Sequence, residues 1–282
     1  MRSYLSVLLA AACLGLIGPL VKLIDGTIPI MTVSFFRLLI GTVFLLVLLP
    51  RIDRSIFRVT RDDLKNYAIL GLLIAADFSL YVVAFSVAPV SNVVLLTFTF
   101  PFWLALISHF FLKERVSRFV IICLAIAFAG IALINPFAGI HNAGNMFALA
   151  NALLYAIMYA YMRYIDKRHH IGVVFWFMLF AAIFLVPAPF IYGLGTVSWN
   201  YAWVVVLGIV STGLAYLFLN YGLERLQAET TSVIVMTTEP VVAIALSILI
   251  IGEILALNVL AGGILIIAAG LMLEKKYGLT KR

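Results

Sequence analysis

Three ionisable residues, Arg37, Asp77 and Glu239, sit in the middle of long apolar runs, and the search for chemistry starts with them. Such a side chain at membrane depth costs about 2.5–3.5 kcal/mol on insertion scales, so it faces a cavity or a partner. A carboxyl group there is a candidate proton carrier, or a counter-charge for a cationic or amine-bearing solute. The plainer alternative for Asp77 and Glu239 is a protonated acid hydrogen-bonded to a neighbouring helix, or an ion pair with Arg37. Arg37 offers a planar, two-pronged guanidinium suited to a carboxylate, and its own alternative is that same structural pairing. Both charge types around one cavity would suit a zwitterion such as an amino acid.

Polar and aromatic stripes accompany these charges. Asp77 and Tyr81 are four residues apart and share a helix face, as do Tyr216 and Asn220, with Thr212 one turn earlier. Asn151, Tyr155 and Tyr159 form a third stripe at the same spacing. Three stripes in otherwise apolar helices are best satisfied around a shared water-filled cavity. Interhelical hydrogen bonds alone, worth about 0.6 kcal/mol each, would account for one of them. Pro101 and Pro240 each remove a backbone donor and push away a carbonyl four residues earlier, at Thr97 and Met236. Thr97, Thr99, Thr237 and Thr238 are at hand to satisfy the freed groups. Each proline is therefore a hinge for a moving bundle or a static bend that improves packing. Trp103 and Trp176 fall deep enough to line a cavity, while Trp199 and Trp203 suit the membrane interface.

The elements that must position these residues come from a chain of 282 residues, 65% hydrophobic and 11% charged, with mean hydropathy +1.18. That composition cannot cover a water-exposed surface and excludes a soluble domain. The formal charge of +7 does not describe a nucleic-acid footprint, because the basic residues sit in short gaps between apolar runs. Hydropathy and turn residues place ten spans near 4–22, 30–49, 66–87, 91–112, 118–135, 144–163, 172–193, 201–223, 231–251 and 256–273. With both termini in the cytoplasm, seventeen of the nineteen basic residues fall on the cytoplasmic side, leaving only Lys22 and the intramembrane Arg37. Cys13 and Cys123 lie in apolar stretches and read as packing residues. The stretch Leu9–Cys13 resembles a cleavage box, but its apolar run continues to Val21, so an uncleaved first helix is expected.

The two halves of the chain resemble each other. Pro101 and Glu114 are 13 residues apart, as are Pro240 and Glu253, at a shift of 139. That shift lays Asp77 on Tyr216 and Tyr81 on Asn220; earlier in each half a shift of 141 matches Lys22 with Arg163, Asp25 with Asp166 and Phe36 with Phe177. Arg37 then falls on Met178, so any role for it is asymmetric. Residues 1–139 and 140–282 thus form two five-span repeats, and an odd span number inverts the second. In that architecture the substrate site lies near the midplane between the repeats. Glu114 and Glu253 are expected to stabilise the positive starts of spans five and ten. Ala125, Ala129 and Ala132, with Gly263 and Gly270, would allow close helix approach inside one copy of the chain. They say nothing of oligomeric state.

Taken together, Arg37 early in span two, Tyr81 with Ala84, and Pro101 to Glu114 then Gly130 form a pattern. The second half repeats it with Thr212–Tyr216, Pro240 to Glu253, and Gly270. The pattern resembles the EamA-type, ten-helix branch of the drug/metabolite transporter superfamily over nearly the whole chain. The resemblance implies an all-α integral membrane protein of two inverted repeats in the cytoplasmic membrane. It also implies secondary active transport of a small metabolite by alternating access, as export coupled to protons or to solute exchange. A passive channel is the first rival. An intramembrane enzyme is the second, but no His-Glu-x-x-His helix is present and His169-His170 lacks a third ligand. No metal or cofactor is expected; the partners are a small-molecule substrate, protons and the lipid bilayer.

Overall fold

The structure, a computed structural model, describes residues 2–24, 26–51, 57, 59–112, 118–134, 142–165, 171–226 and 228–277. Among these residues the regular structure is all helical. A helix satisfies every backbone group within one segment, which lipid requires of an apolar chain without a closed barrel. Eight stretches are long and apolar enough to cross a membrane: Arg2–Ile24, Ile30–Arg51, Arg61–Val87, Val90–Ile107, Ala143–Met162, Gly172–Tyr192, Asn200–Leu223 and Val233–Ile251. Two shorter apolar helices, Arg118–Ile134 and Leu257–Met272, accompany them. The chain is a multi-pass integral membrane protein.

Several of these rods are broken. The first is α1 (Arg2–Gly15) followed by α2 (Ile17–Ile24), where Pro19 sits in the opening turn of α2. Next come α3 (Ile30–Leu48) and α4 (Arg61–Val87), the latter opened by a capping box between Thr60 and Asp63. The chain then splits into α5 (Val90–Thr97) and α6 (Phe100–Leu112) and continues through α7 (Arg118–Ile134) and α8 (Asn142–Tyr164). Helix α9 (Ile171–Leu185) stops before Pro187, the first residue of α10 (Pro187–Tyr192). Helices α11 (Asn200–Gly208) and α12 (Ala215–Leu223) are joined by a π turn, Ile209–Leu214, which contains Gly213. Finally α13 (Ala228–Leu246) runs into a second π turn, Ser247–Ile251, before α14 (Leu257–Tyr277).

The two prolines behave differently from each other. Around Pro101 the helix breaks two residues earlier, at Phe98 and Thr99, and the proline lies in the first turn of α6, where its missing donor is not needed. Pro240 lies inside an unbroken α13. Of the four threonines expected near the freed carbonyls, Thr99 and Thr237 serve others: Thr99 donates to the Leu96 carbonyl at 2.7 Å, and Thr237 donates to those of Val233 and Ile234. Of the small-residue seam, Gly263 and Gly270 are buried at close approaches to Leu95 and Met236, but the alanines are placed differently. Ala125, Ala129 and Ala132 face outward, and α7 packs on α14 through its opposite side. There Gly130 meets Gly262, and a Cβ on Gly130 would come within 2.7 Å of the Gly262 carbonyl oxygen.

Glu253 departs furthest from expectation. Instead of serving the start of α14, its carboxylate accepts from the backbone N–H of Val90 at 2.9 Å, the N–H of Ser91 at 3.0 Å and the Ser91 hydroxyl. The reason is local: α5 begins after Pro89, which supplies no side-chain cap, so its orphan donors take a carboxylate 163 residues away. Glu114, Asp25, Asp166, His169 and His170 lie outside the described residues.

Candidate functional site

A cavity of about 150 Å³ lies between the two halves of the chain, and Arg37, Asp77, Tyr81, Tyr155, Tyr159, Tyr216, Asn220 and Glu239 all line it. The stripes therefore converge. Asp77 and Tyr81 come from α4, Asn151, Tyr155 and Tyr159 from α8, Tyr216 and Asn220 from α12, Glu239 from α13 and Arg37 from α3. Trp103 and Trp176 do not reach it: the Trp103 indole donates to Thr99, and Trp176 stacks on Tyr67 with ring centroids 6.5 Å apart.

The two carboxyls have different surroundings. Asp77 is 3% exposed and accepts a 2.8 Å hydrogen bond from the Asn151 side-chain amide, which also donates to the Asp77 backbone carbonyl at 3.0 Å. The Asn151 oxygen accepts from the Thr97 hydroxyl at 2.9 Å, so a three-residue chain ties α4 to the end of α5 at the helix break. Glu239 is 9% exposed on intact α13, beside Tyr81. Asn151 carries more of the site than its place in a stripe revealed, and the Thr97 hydroxyl binds a neighbouring side chain instead of a freed carbonyl.

Arg37 is 1% exposed and pairs with neither carboxyl; no carboxylate oxygen among the described residues lies within 4 Å of its nitrogens. Its Nε donates to the Thr212 hydroxyl at 2.9 Å, and its guanidinium lies 4.2 Å from the Phe78 ring centroid. Such a cation over an aromatic face is favourable, more so away from water. Thr212 in turn donates to the Leu207 carbonyl at 3.0 Å, five residues back, the reach a π turn provides. The sequence marked Thr212 as the start of a polar stripe; its bond to Arg37 depends on the π turn, which the hydropathy pattern did not indicate. Opposite, Phe100 packs on Tyr155 and Tyr159 with centroids 4.7 and 5.7 Å apart, forming an aromatic wall. The wall is apolar except for two hydroxyls, which face each other at 3.4 Å.

The cavity lining continues to Met162, Val174, Leu223 and Thr231, at the ends of α8, α9, α12 and α13. At the opposite end Ile24, Ile28, Phe85, Ala88 and Val90 are buried, and the two halves are hydrogen-bonded together. Besides Glu253 on α5, Asn200 donates to Thr27 at 2.9 Å, Thr32 donates to the Gly193 carbonyl at 2.8 Å and Asn92 donates to Asn145 at 3.3 Å.

A helical membrane bundle with a charged, aromatic-walled cavity between two related halves is the build of a solute carrier. The chain belongs to the EamA-like transporter family, which matches residues 1–135 and again residues 142–273. It is 26% identical over 271 residues to an uncharacterized transporter of Archaeoglobus fulgidus, covering 95% of this chain and 94% of that one. It is 26% identical to the pseudopaline exporter CntI of Pseudomonas aeruginosa, over 65% of this chain and 64% of that one. It is 23% identical to an S-adenosylmethionine uptake transporter of Rickettsia bellii, over 89% and 86% respectively. A crystal structure of another protein, 19% identical, matches with a TM-score of 0.67 over 97% of this chain and 98% of its own, a likeness of fold.

Proposed function

We propose that the protein is a secondary active transporter that moves a small, amino acid-like or amphipathic metabolite across the cytoplasmic membrane by alternating access, as export coupled to protons or to solute exchange. The observation that carries this reading is the cavity lined from both halves and holding one cation, two carboxyls and a tyrosine-rich wall. The ten helical rods form two inverted five-helix repeats, residues 1–139 and 140–282, with both termini in the cytoplasm. In that orientation the end of the cavity at Met162 and Thr231 faces the cytoplasm, and the Glu253 contact with α5 belongs to an outer gate. A passive channel needs a path continuous at both ends at once, which the buried and hydrogen-bonded end at Ile24, Phe85 and Glu253 does not favour. Two relatives named for S-adenosylmethionine uptake and pseudopaline export support a polar metabolite as cargo and leave direction to the gradient.

Asp77 and Glu239 are the proton- or amine-binding groups, and Arg37, Tyr81, Tyr155, Tyr159, Tyr216 and Asn220 complete the substrate site. The test is flux into liposomes carrying purified protein under an imposed pH gradient. Saturable, gradient-driven flux is expected. Glu239→Gln and Asp77→Asn should each reduce the pH-driven component by more than about tenfold while thermal unfolding stays near wild type. Unchanged pH-driven flux in both variants would remove the proton role, and flux that never saturates would favour the channel.

A further inference from the structure

We infer that the cavity contains a carboxylate subsite built on Arg37, and that Thr212, on the π turn between α11 and α12, is the positioning residue that presents it. The inference rests on the cavity being the substrate path, and it assigns one end of the substrate a chemical class. Of the three guanidinium nitrogens only Nε is engaged, on Thr212; Nη1 is buried without a partner and Nη2 makes no hydrogen bond among the described residues. Native proteins rarely leave a buried donor unmatched. With Nε held and Nη1 shut off, Nη2 is the donor left toward the cavity, arranged for a charge-assisted hydrogen bond to a carboxylate oxygen.

No acid of the protein takes that role. Asp77 is held by Asn151, and no carboxylate oxygen among the described residues comes within 4 Å of Arg37. The positioning is built from two directions. Phe78 lies under the guanidinium plane at 4.2 Å, and the Thr212 hydroxyl, its own proton committed to the Leu207 carbonyl, turns a lone pair to Nε. Close approach of α3 to the π turn depends on missing side chains. A Cβ on Gly41 would meet the Thr212 methyl at 3.0 Å, and one on Gly208 would meet the Arg37 carbonyl oxygen at 3.1 Å. A π turn costs regular helical hydrogen bonding and recurs at functional sites. Here it places a threonine where an α-helix would not.

The experiment uses the full-length protein in detergent and in liposomes, with the proteinogenic amino acids as probes, each paired with its carboxamide. The amide keeps the size and the amine and removes the anion. Wild type is expected to bind at least one acid about tenfold or more tightly than its amide, as loss of a charge-assisted pair predicts. Thr212→Val, which keeps the shape and removes the acceptor, should collapse that ratio about tenfold by raising KM for the acid. Thr212→Ser should restore the ratio. That rescue also separates positioning from a folding defect, read in parallel as thermal unfolding. Wild-type protein that moves solutes but treats acid and amide alike overturns the subsite and leaves the transport reading intact. A Thr212→Val ratio equal to wild type overturns the role of Thr212. Liposomes showing no protein-dependent flux of any probe would overturn the transport reading and the subsite with it.

Discussion

Pro101 and Pro240 hold matching places in the two halves, each thirteen residues ahead of a glutamate, yet the backbone around them differs. In the first half the chain breaks between α5 and α6, and Pro101 opens the new helix. In the second, α13 passes through Pro240 and the irregular turn is displaced to Ser247–Ile251. Side chains account for the difference. Thr99 closes the end of α5 on the Leu96 carbonyl while Asn151 holds Thr97; in α13 the Thr237 hydroxyl bonds carbonyls of its own helix. A repeated break signal thus marks where the helix is weak, and the neighbours decide whether it opens. The consequence reaches the cavity: the first half lines it with a broken helix tied to Asp77, the second with an intact helix carrying Glu239.

The matched glycines extend the contrast and give its largest test. Gly130 abuts backbone, since an added Cβ would lie 2.7 Å from the Gly262 carbonyl oxygen, and two helix backbones cannot both yield. At Gly270 the added Cβ would meet only the Met236 methyl, the far end of a flexible side chain, at 2.6 Å. Gly130→Ala should cost about 1–3 kcal/mol of stability, and Gly270→Ala less than about 1 kcal/mol. Thermal unfolding in detergent measures both. Equal losses would show that the halves are packed alike and that the asymmetry is confined to the prolines.

What the sequence revealed and what it hid divide along physical lines. Hydropathy and spacing located the helical rods and the charged, tyrosine and asparagine residues of the cavity, though not its limits at Trp103 and Trp176, because a polar group in an apolar helix has few places to go and Asp77, Tyr216 and Glu239 had to face one another. Residues that act through backbone geometry were hidden. Thr212 reaches Arg37 only because of a π turn, and Glu253 finds α5 only because the halves fold together, a contact 163 residues distant in sequence. Small-residue stripes misled for a related reason. On α7 alanines line one face and Gly130 the other, and composition alone does not say which face meets a helix.

Glu253 provides the next test, because it joins the second half to the start of a helix in the first. Glutamine keeps one acceptor oxygen and loses the charge and the second acceptor, so Glu253→Gln should cost about 1 kcal/mol. The larger signal is conformational. In the proposed orientation, with the contact weakened, a cysteine introduced at the buried Ala88 should react faster with a membrane-impermeant thiol reagent added from outside. Labelling as slow as in the Ala88→Cys parent would show that the carboxylate caps α5 without holding the gate.

The prolines themselves give the smallest change in stability and the most direct test of the contrast. Alanine at position 240 restores an N–H facing the Met236 carbonyl inside a continuous helix, so Pro240→Ala should stabilise the protein. The gain should stay under about 1 kcal/mol, because membrane helices already compensate such sites with neighbouring groups. Pro101→Ala should change stability by less than about 0.5 kcal/mol, since the first turn of α6 has no use for that donor. Turnover separates the two functional readings. If α13 bends at Pro240 during the cycle, stiffening it slows solute exchange severalfold. Pro101→Ala should leave exchange unchanged, because the break before α6 is maintained by Thr99 and by the Trp103 indole bonded to it at 3.2 Å. Exchange at wild-type rate in Pro240→Ala would make that proline a static bend and place the flexible element of the bundle at the Phe98–Thr99 break.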